Sequence, residues 1–269
     1  VIPPVLVREE AKYGTDFFPT DRAQVYETVD GDCLVVNGQK IWTSFGAVAD
    51  YCYLICRTRA DGPPHAGISE IIVPMDTPGI EVRPIKDMTT NRHFCEVFFT
   101  DALIPADCRL GGEGEGWQVA MGTLDIFRPT VGAAALGFAR RAMDEAVHRA
   151  ATRMMFGRAL AEQQMTQGKI ADMALGIDTA ALLVYRAAWA RDVQGRRITA
   201  EAAMAKLHAT ETAQRVIDDA VQIFGGLGVK QGVKVEELYR EIRALRIYEG
   251  ASEVQKLIIA RQVMAAQAP

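Results

Sequence analysis

The chain changes character at residues 111–117, GGEGEGW, and that change limits what it can fold into. Before it lie short runs rich in Val, Ile and aromatic residues: CLVVNGQKIWTS, DYCYLICRTR, GISEIIVPM, GIEVRPI and CEVFFTDALIP, separated by Gly, Pro and Asp. Such runs with frequent turn punctuation predict strands of an antiparallel sandwich or barrel. Asn37-Gly38, between two apolar runs, predicts a tight hairpin. After the glycines almost no strand signal remains. One helical segment opens at WQVAM and is expected to bend near Pro129. A second opens at QQMTQ, and a third at TAEAA is stopped by Gly225 and Gly226. A shorter segment around 232–245 and a last helix after Gly250 complete the bundle. The expected class is α+β: an antiparallel β-barrel or sandwich over residues 1–112, then an up-down bundle of four-helix type over 113–269. The glycines between them are expected to act as a hinge. Ala, Gly and Met at the apolar positions of the helices predict close helix–helix packing.

Composition narrows the function classes. A single domain typically has ~100–200 residues, so the chain's 269 predict two. Apolar residues make up 49%, enough for substantial cores. A net charge of −4 without a Lys/Arg-rich run speaks against a nucleic-acid or anionic-membrane surface. No apolar run approaches the ~20 residues needed to span a bilayer. The cysteines, Cys33, Cys52, Cys56, Cys95 and Cys108, are odd in number and form no CxxC pair. They predict free thiols in a reducing compartment: the cytoplasm, or the mitochondrial matrix in a eukaryote. The chain begins at Val1 rather than Met, so a fragment is expected, with any targeting segment outside it.

Many chemistries lack their residues here. There is no GxxxxGK[ST] phosphate loop, no HExxH, no GxSxG elbow and no clean Cys/His pair. The histidines His65, His93, His148 and His208 are scattered, and no metal site is expected. The glycine run lacks GxGxxG spacing, follows no βα unit, and carries Glu113 and Glu115, which would repel a pyrophosphate.

Four stretches have residue types that suit a site. RIYEGASEVQ, residues 246–255, sets the carboxylate of Glu249 between Ile247-Tyr248 and Gly250. An apolar pocket that desolvates a carboxylate raises its pKa and makes it a proton acceptor near neutral pH. The same residues also read as a glutamate capping a helix that begins at Gly250. In QKIWTS, the indole of Trp42 beside the hydroxyls of Thr43 and Ser44 can stack on a planar ring and hydrogen-bond its edge, or can end a half-buried strand. Arg153, followed by Phe156, Gly157 and Gln164, offers a guanidinium for a phosphate at a chain break between two helices. In QIFGGLG, residues 222–228, the glycines either let phosphates approach the backbone or form a plain helix C-cap.

In this order and spacing the stretches resemble the acyl-CoA dehydrogenase family, from about Gly14 to Met264. NGQKIWTS resembles the family's middle-domain flavin motif. Asp125 and Arg128, in a D-x-x-R followed by GAAALGFARRAMDEA, resemble the start of its C-terminal bundle. RMMFGRALAEQQMTQGKIADM resembles the motif that grips the FAD of a neighbouring subunit. QIFGGLGV with YREIRALRIYEGASEVQKLIIAR resembles its closing catalytic segment.

The resemblance implies an FAD-dependent oxidoreductase of fatty acid β-oxidation that introduces an α,β double bond into an acyl-CoA. It implies that Glu249 takes the pro-R α-proton while the β-hydrogen leaves as hydride to flavin N5. The Glu249 backbone N–H and the flavin ribityl chain are implied to bind the thioester carbonyl, with Arg128 ordering the base. A branch of the family carries its base on the first bundle helix. The matching position here is Phe127, which cannot take a proton, so Glu249 is the candidate. Trp42, Thr43 and Ser44 are implied at the flavin ring, Ser44 standing where the family often has Thr. Arg153, Phe156 and Gln164 are implied to bind the ADP half of FAD across a dimer interface, joined by Gln222, Gly225 and Gly226 of the other subunit. Thr15, in a GTD similar to the family's GSD, is implied to contact CoA, with Asp125 and Gly250 also at the substrate. Electron-transferring flavoprotein is the implied electron acceptor, and a homodimer or tetramer the implied assembly.

The sequence departs from the family pattern in three places. It has no counterpart of the N-terminal helical domain, which walls the acyl pocket. Arg8 stands where a flavin-bonding Thr is usual, and Ala251 replaces the Thr of GTS. Two further readings stand beside the dehydrogenase, the second of them favoured by Arg8 and Ala251. One is an acyl-CoA oxidase, which reoxidises with O₂. The other is a non-catalytic partner subunit that completes a neighbour's FAD site with Arg153 and Gln222.

Overall fold

The computed structural model describes residues 32–59, 63 and 65–267, and the backbone alone of 22–27. Thr15 and Arg8 lie outside the described residues. By its internal contacts the chain divides into two compact units, Val1–Gly122 and Thr123–Pro269.

In the first unit, seven strands form one sheet among the described residues. They are β1 (Arg22–Glu27), β2 (Cys33–Ser44), β3 (Tyr51–Arg57), β4 (Ile68–Pro74), β5 (Ile80–Ile85), β6 (Phe94–Pro105) and β7 (Arg109–Leu110). Their order is β5-β6-β2-β1-β3-β4-β7, antiparallel throughout except that β1 runs parallel to β3. Alternate residues on each strand build the core: Leu34 and Val36, Cys52, Leu54 and Cys56, Ile71 and Val73, Cys95 and Val97. The sheet stays open, and the barrel expected from the sequence does not close. Edge strand β5 carries Glu81, Arg83 and Pro84; the charges discourage another strand, and Pro84 has no N–H to offer one. At the other edge, β7 is only 2 residues long.

Asn37-Gly38 does not turn the chain, because β2 runs unbroken through it. Val36 pairs with Ala102 and Gly38 with Phe99, so β6 holds an extra residue opposite Asn37. Asn37 Nδ2 donates to Asp101 Oδ1 and the Asp101 N–H donates back to Asn37 Oδ1, each at 2.9 Å. This bulge resets the alternation, so Phe99, Ala102 and Ile104 all reach the same core. The hairpin expectation fails because Asn and Gly serve a bulge as well as a turn.

The glycines expected to act as a hinge are pinned. The Gly114 N–H donates to Ser69 Oγ at 2.9 Å, and the Gly112 N–H to the Glu115 carboxylate at 2.7 Å. A Cβ on Gly116 would stand 2.4 Å from the Ser69 backbone, so close approach selects glycine there.

Next to Ser69, Glu70 is fully buried, and among the described residues neither carboxylate oxygen has a hydrogen-bond partner at normal distance. Burial raises its pKa above the ordinary carboxylate value, while the Tyr53 hydroxyl opposes the rise. A carboxyl whose folded pKa is raised contributes its stability below the unfolded pKa and loses it as pH climbs through the folded value. Glu70→Leu is therefore expected to raise the melting temperature by roughly 2–6 °C at pH 8 and by less at pH 4. Thermal scans at the two pH values check this, and an equal gain at both would exclude ionisation as the cause.

α1 (Gly116–Thr152) continues unbroken through Pro129. Pro129 lacks an N–H and so leaves the Asp125 carbonyl without its usual helical partner. The second unit continues with α2 (Gln164–Asp192), α3 (Thr199–Phe224), α4 (Lys234–Leu245) and α5 (Ser252–Gln267). α3 is central and packs against α2, α4 and α5. Its buried face is largely alanine, including Ala202, Ala205, Ala209 and Ala213. The close packing expected of the small residues is present: a Cβ on Gly176 of α2 would stand 2.8 Å from Thr212 of α3. Among the described residues no helix is long and apolar enough to cross a membrane.

Candidate active site

α4 ends at Leu245 and α5 begins at Ser252. In the turn between them Glu249 and Gly250 both take positive φ, +55° and +90°. Glycine adopts this conformation freely; in a glutamate it costs about 1–3 kcal/mol and persists where the surroundings over-determine it. Here three donors do so. Gln255, fully buried, donates Nε2 to the Glu249 carbonyl at 3.0 Å and to the Gly250 carbonyl at 2.9 Å. Lys206, also fully buried, donates Nζ to the Gly250 carbonyl at 2.8 Å. Arg128 donates Nε to the Glu249 carbonyl at 3.3 Å. On either flank, Arg246 and Ser252 both bond Glu211 on α3.

Among the described residues Glu249 Oε2 is buried and accepts no hydrogen bond. The Glu249 N–H likewise has no acceptor among the described residues. Burial raises the pKa of this carboxyl, and the charges of Arg128 and Lys206 oppose the rise. Ile247 and Tyr248, expected to wall the carboxylate, are themselves 57% and 37% exposed.

Asp125 and Arg128 lie one turn apart on α1, both buried, with their charged groups 3.6 Å apart. Asp125 Oδ2 also accepts from Thr199 Oγ1 at 2.7 Å and from Arg197 Nε at 3.3 Å. Asp125, expected at the substrate, thus has its oxygens engaged by Arg128, Thr199 and Arg197. Gly250 was also expected at the substrate; its carbonyl accepts from Lys206 and Gln255. Neither of these two residues was singled out from the sequence. Lys206 had a legible signal: it stands on the stripe Ala202, Lys206, Ala209, Ala213, where every neighbour is alanine.

A groove of about 470 Å³ in the second unit is lined by Arg149, Arg153, Thr166, Lys169, Gln222, Gly225 and Gly226, among others. Arg153 and the 222–226 segment were assigned to two different subunits from the sequence, yet one chain brings them together. Phe156 and Gln164 do not line this groove. Phe156 and Gly157 both have positive φ and form the two-residue turn between β8 (Met154–Met155) and β9 (Arg158–Ala159). Phe156 is 91% exposed at its tip, and Gln164 is exposed at the start of α2. Arg149 was missed, although it precedes Arg153 by one helical turn. Among the described residues its Nε is buried without an acceptor, and its guanidinium lies 5.8 Å from the Phe224 ring centre. A Cβ on Gly225 or Gly226 would meet nothing within 4 Å. An orphan guanidinium donor beside an open glycine floor suits a phosphate-bearing ligand.

In the first unit Trp42, Thr43 and Ser44 close β2, as expected. Trp42 and Phe45 have strained φ of +66° and +55° and are exposed. The Trp42 ring meets Phe94 edge-on at 6.3 Å, Thr43 is half-buried and Ser44 exposed. An exposed indole held on a strained backbone beside two hydroxyls is available for stacking.

Residues 9–102 match the family model described as acyl-CoA dehydrogenase, middle domain, and residues 114–264 match acyl-CoA dehydrogenase, C-terminal domain. The chain belongs to the acyl-CoA dehydrogenase family. It is 38% identical to cyclohexane-1-carbonyl-CoA dehydrogenase of Geobacter metallireducens over 87% of this chain and 62% of that protein. It is 40% identical to the human mitochondrial short-chain specific acyl-CoA dehydrogenase, over 87% of this chain and 57% of that protein. Butyryl-CoA dehydrogenase from Megasphaera elsdenii superposes with a TM-score of 0.85 at 34% identity, covering 91% of this chain and 63% of that one. The chain thus spans between 57% and 62% of the length of these two curated family relatives.

Proposed function

We propose that this chain carries the catalytic base and part of the cofactor site of an FAD-dependent acyl-CoA dehydrogenase. The observation behind this is the turn at Glu249: among the described residues, a buried carboxylate oxygen without a partner, next to an amide N–H without an acceptor. Glu249 Oε2 takes the α-proton of the thioester, its raised pKa giving it more basicity than an ordinary surface carboxylate. The Glu249 N–H donates to the thioester carbonyl, where charge develops as the α-proton leaves. Arg128, Lys206 and Gln255 hold the neighbouring carbonyls, so the N–H needs no reorientation. Arg149, Arg153, Gln222 and the Gly225-Gly226 backbone would hold the ADP half of an FAD. On the first unit, Trp42, Thr43 and Ser44 would offer a stacking face and hydroxyls to a flavin ring. FAD, if held there, would supply the hydride acceptor for the β-hydrogen, and the product would be a trans-2-enoyl thioester.

Electron-transferring flavoprotein is the proposed acceptor of the electrons. A second copy of the chain is the proposed partner, supported by the exposed stripe Leu175, Leu182, Tyr185 and Trp189 on one face of α2.

The test is flavin content per chain, followed by saturated acyl-CoAs added without oxygen. One flavin per chain and loss of the oxidised-flavin band with one chain-length class are expected, with Arg153→Ala lowering flavin occupancy. Fully flavinated protein that no acyl-CoA bleaches would overturn the reading. One flavin per two chains would favour a partner subunit, and direct reoxidation by O₂ at the turnover rate would favour an oxidase.

A further inference from the structure

We propose that Lys206 is a positioning residue of the catalytic turn: its buried ammonium, anchored on the Gly250 carbonyl, sets where the Glu249 carboxylate stands and how readily it is charged. This rests on the reading of Glu249 as the base.

Lysine is almost never fully buried unless paired, and Lys206 is among the largest fully buried side chains of the chain. Its ammonium nevertheless hydrogen-bonds a backbone carbonyl rather than a carboxylate. Glu211, one turn along α3, is engaged by Arg246 and Ser252. The charged groups facing Lys206 are Glu211 on its own helix, Glu249 and Arg246 from the turn, and Arg128 from α1. A desolvated ammonium beside a desolvated carboxylate acts at low effective dielectric, so its charge is felt more strongly than at the surface. It does two things there. It fixes the carbonyl of the residue after the base, in a turn where two consecutive residues hold positive φ. It also opposes the rise that burial gives the Glu249 pKa. Burial brings the pKa of Lys206 itself down to about 8, so its charge is lost within a range accessible to assay. An apolar side chain of the same length would fill the space without either effect, and often with no loss of stability.

The experiment compares the wild-type protein with Lys206→Met and Lys206→Arg. It measures anaerobic flavin reduction by an acyl-CoA across pH 5.5–10, and amide hydrogen exchange of residues 246–252 without substrate. For Lys206→Met the expected results are a fall of about tenfold or more in the reduction rate and an acid limb moved to higher pH. The alkaline limb near pH 8 should disappear, and exchange should quicken in the turn but not along α3. Lys206→Arg should restore the acid limb and part of the rate. A Lys206→Met protein with the wild-type pH profile and wild-type exchange would overturn the proposal, as would loosening spread evenly over the bundle. If Lys206→Met does not fold, Lys206→Arg decides: an acid limb in the wild-type position with a lowered rate supports the clamp, and a raised acid limb overturns it. If acyl-CoA fails to reduce even the wild-type flavin, the dehydrogenase reading falls, while hydrogen exchange still decides whether Lys206 holds the turn.

Discussion

Glu249→Gln is expected to leave the protein folded and flavinated and to slow anaerobic reduction by acyl-CoA by about 10²–10⁴-fold. Glutamine keeps the length of the side chain and, with the same backbone, the N–H proposed to bind the thioester. It removes the proton acceptor alone. Substrate binding should therefore change little, and the loss should fall on the rate constant for reduction. Stability should not drop. Burial raises the pKa of Glu249, so the folded state favours the neutral form; the stability this group contributes is complete below its unfolded pKa and is lost as pH rises through the folded value. A neutral amide escapes that loss, and the melting temperature at pH 8 should equal or exceed that of the wild type. Rapid-mixing absorbance at the oxidised-flavin band, paired with thermal scans, checks both parts. Reduction at the wild-type rate would remove Glu249 from the chemistry.

Arg128→Met is expected to act on stability and rate together. Arg128 is 4% exposed, and its guanidinium serves both Asp125 and the Glu249 carbonyl. Burial pulls its pKa down, while Asp125 and Glu249 pull it back up. Breaking a buried pair by removing one partner is costly because the other charge is left behind. Asp125 keeps Thr199 and Arg197, the latter 75% exposed, so the expected loss is about 2–4 kcal/mol, at the lower side of that class. Urea unfolding measures it. The double variant Asp125→Asn/Arg128→Met should recover part of the stability, since no uncompensated charge remains, but none of the reduction rate, since the Glu249 carbonyl still lacks its donor. Recovery of both would make the pair a structural prop with no part in holding the base.

Much of the fold was legible because it is written locally. Apolar residues repeat with the period of the element they build, and Gly and Pro mark where it stops. The helices after residue 116 therefore fall where their periodicity places them, with α3 ending at Phe224 just before Gly225 and α5 starting just past Gly250. Glu249 could be found in the same way: a carboxylate between apolar residues and a glycine is unusual within a few residues of chain.

The tertiary structure decided everything that depends on residues far apart in the chain. Asn37 reads as a turn residue until Asp101, 64 positions away, takes both ends of its amide. An open sheet and a closed barrel share one alternation of side chains, and what separates them is the behaviour of the edges, including Pro84. Asp125 looks available for a ligand until Thr199 and Arg197 occupy it. Arg153 meets Gly225 and Gly226 across one groove of a single chain. The Glu249 turn is held by Arg128, 121 positions away, and by Lys206, 44 positions from the carbonyl it holds. The sequence alone determined the kinds of element and the presence of a candidate base. Which polar groups are paired, and which are left buried without a partner among the described residues, was set by packing, because burial and hydrogen bonding are properties of the space between elements that no short stretch of sequence contains.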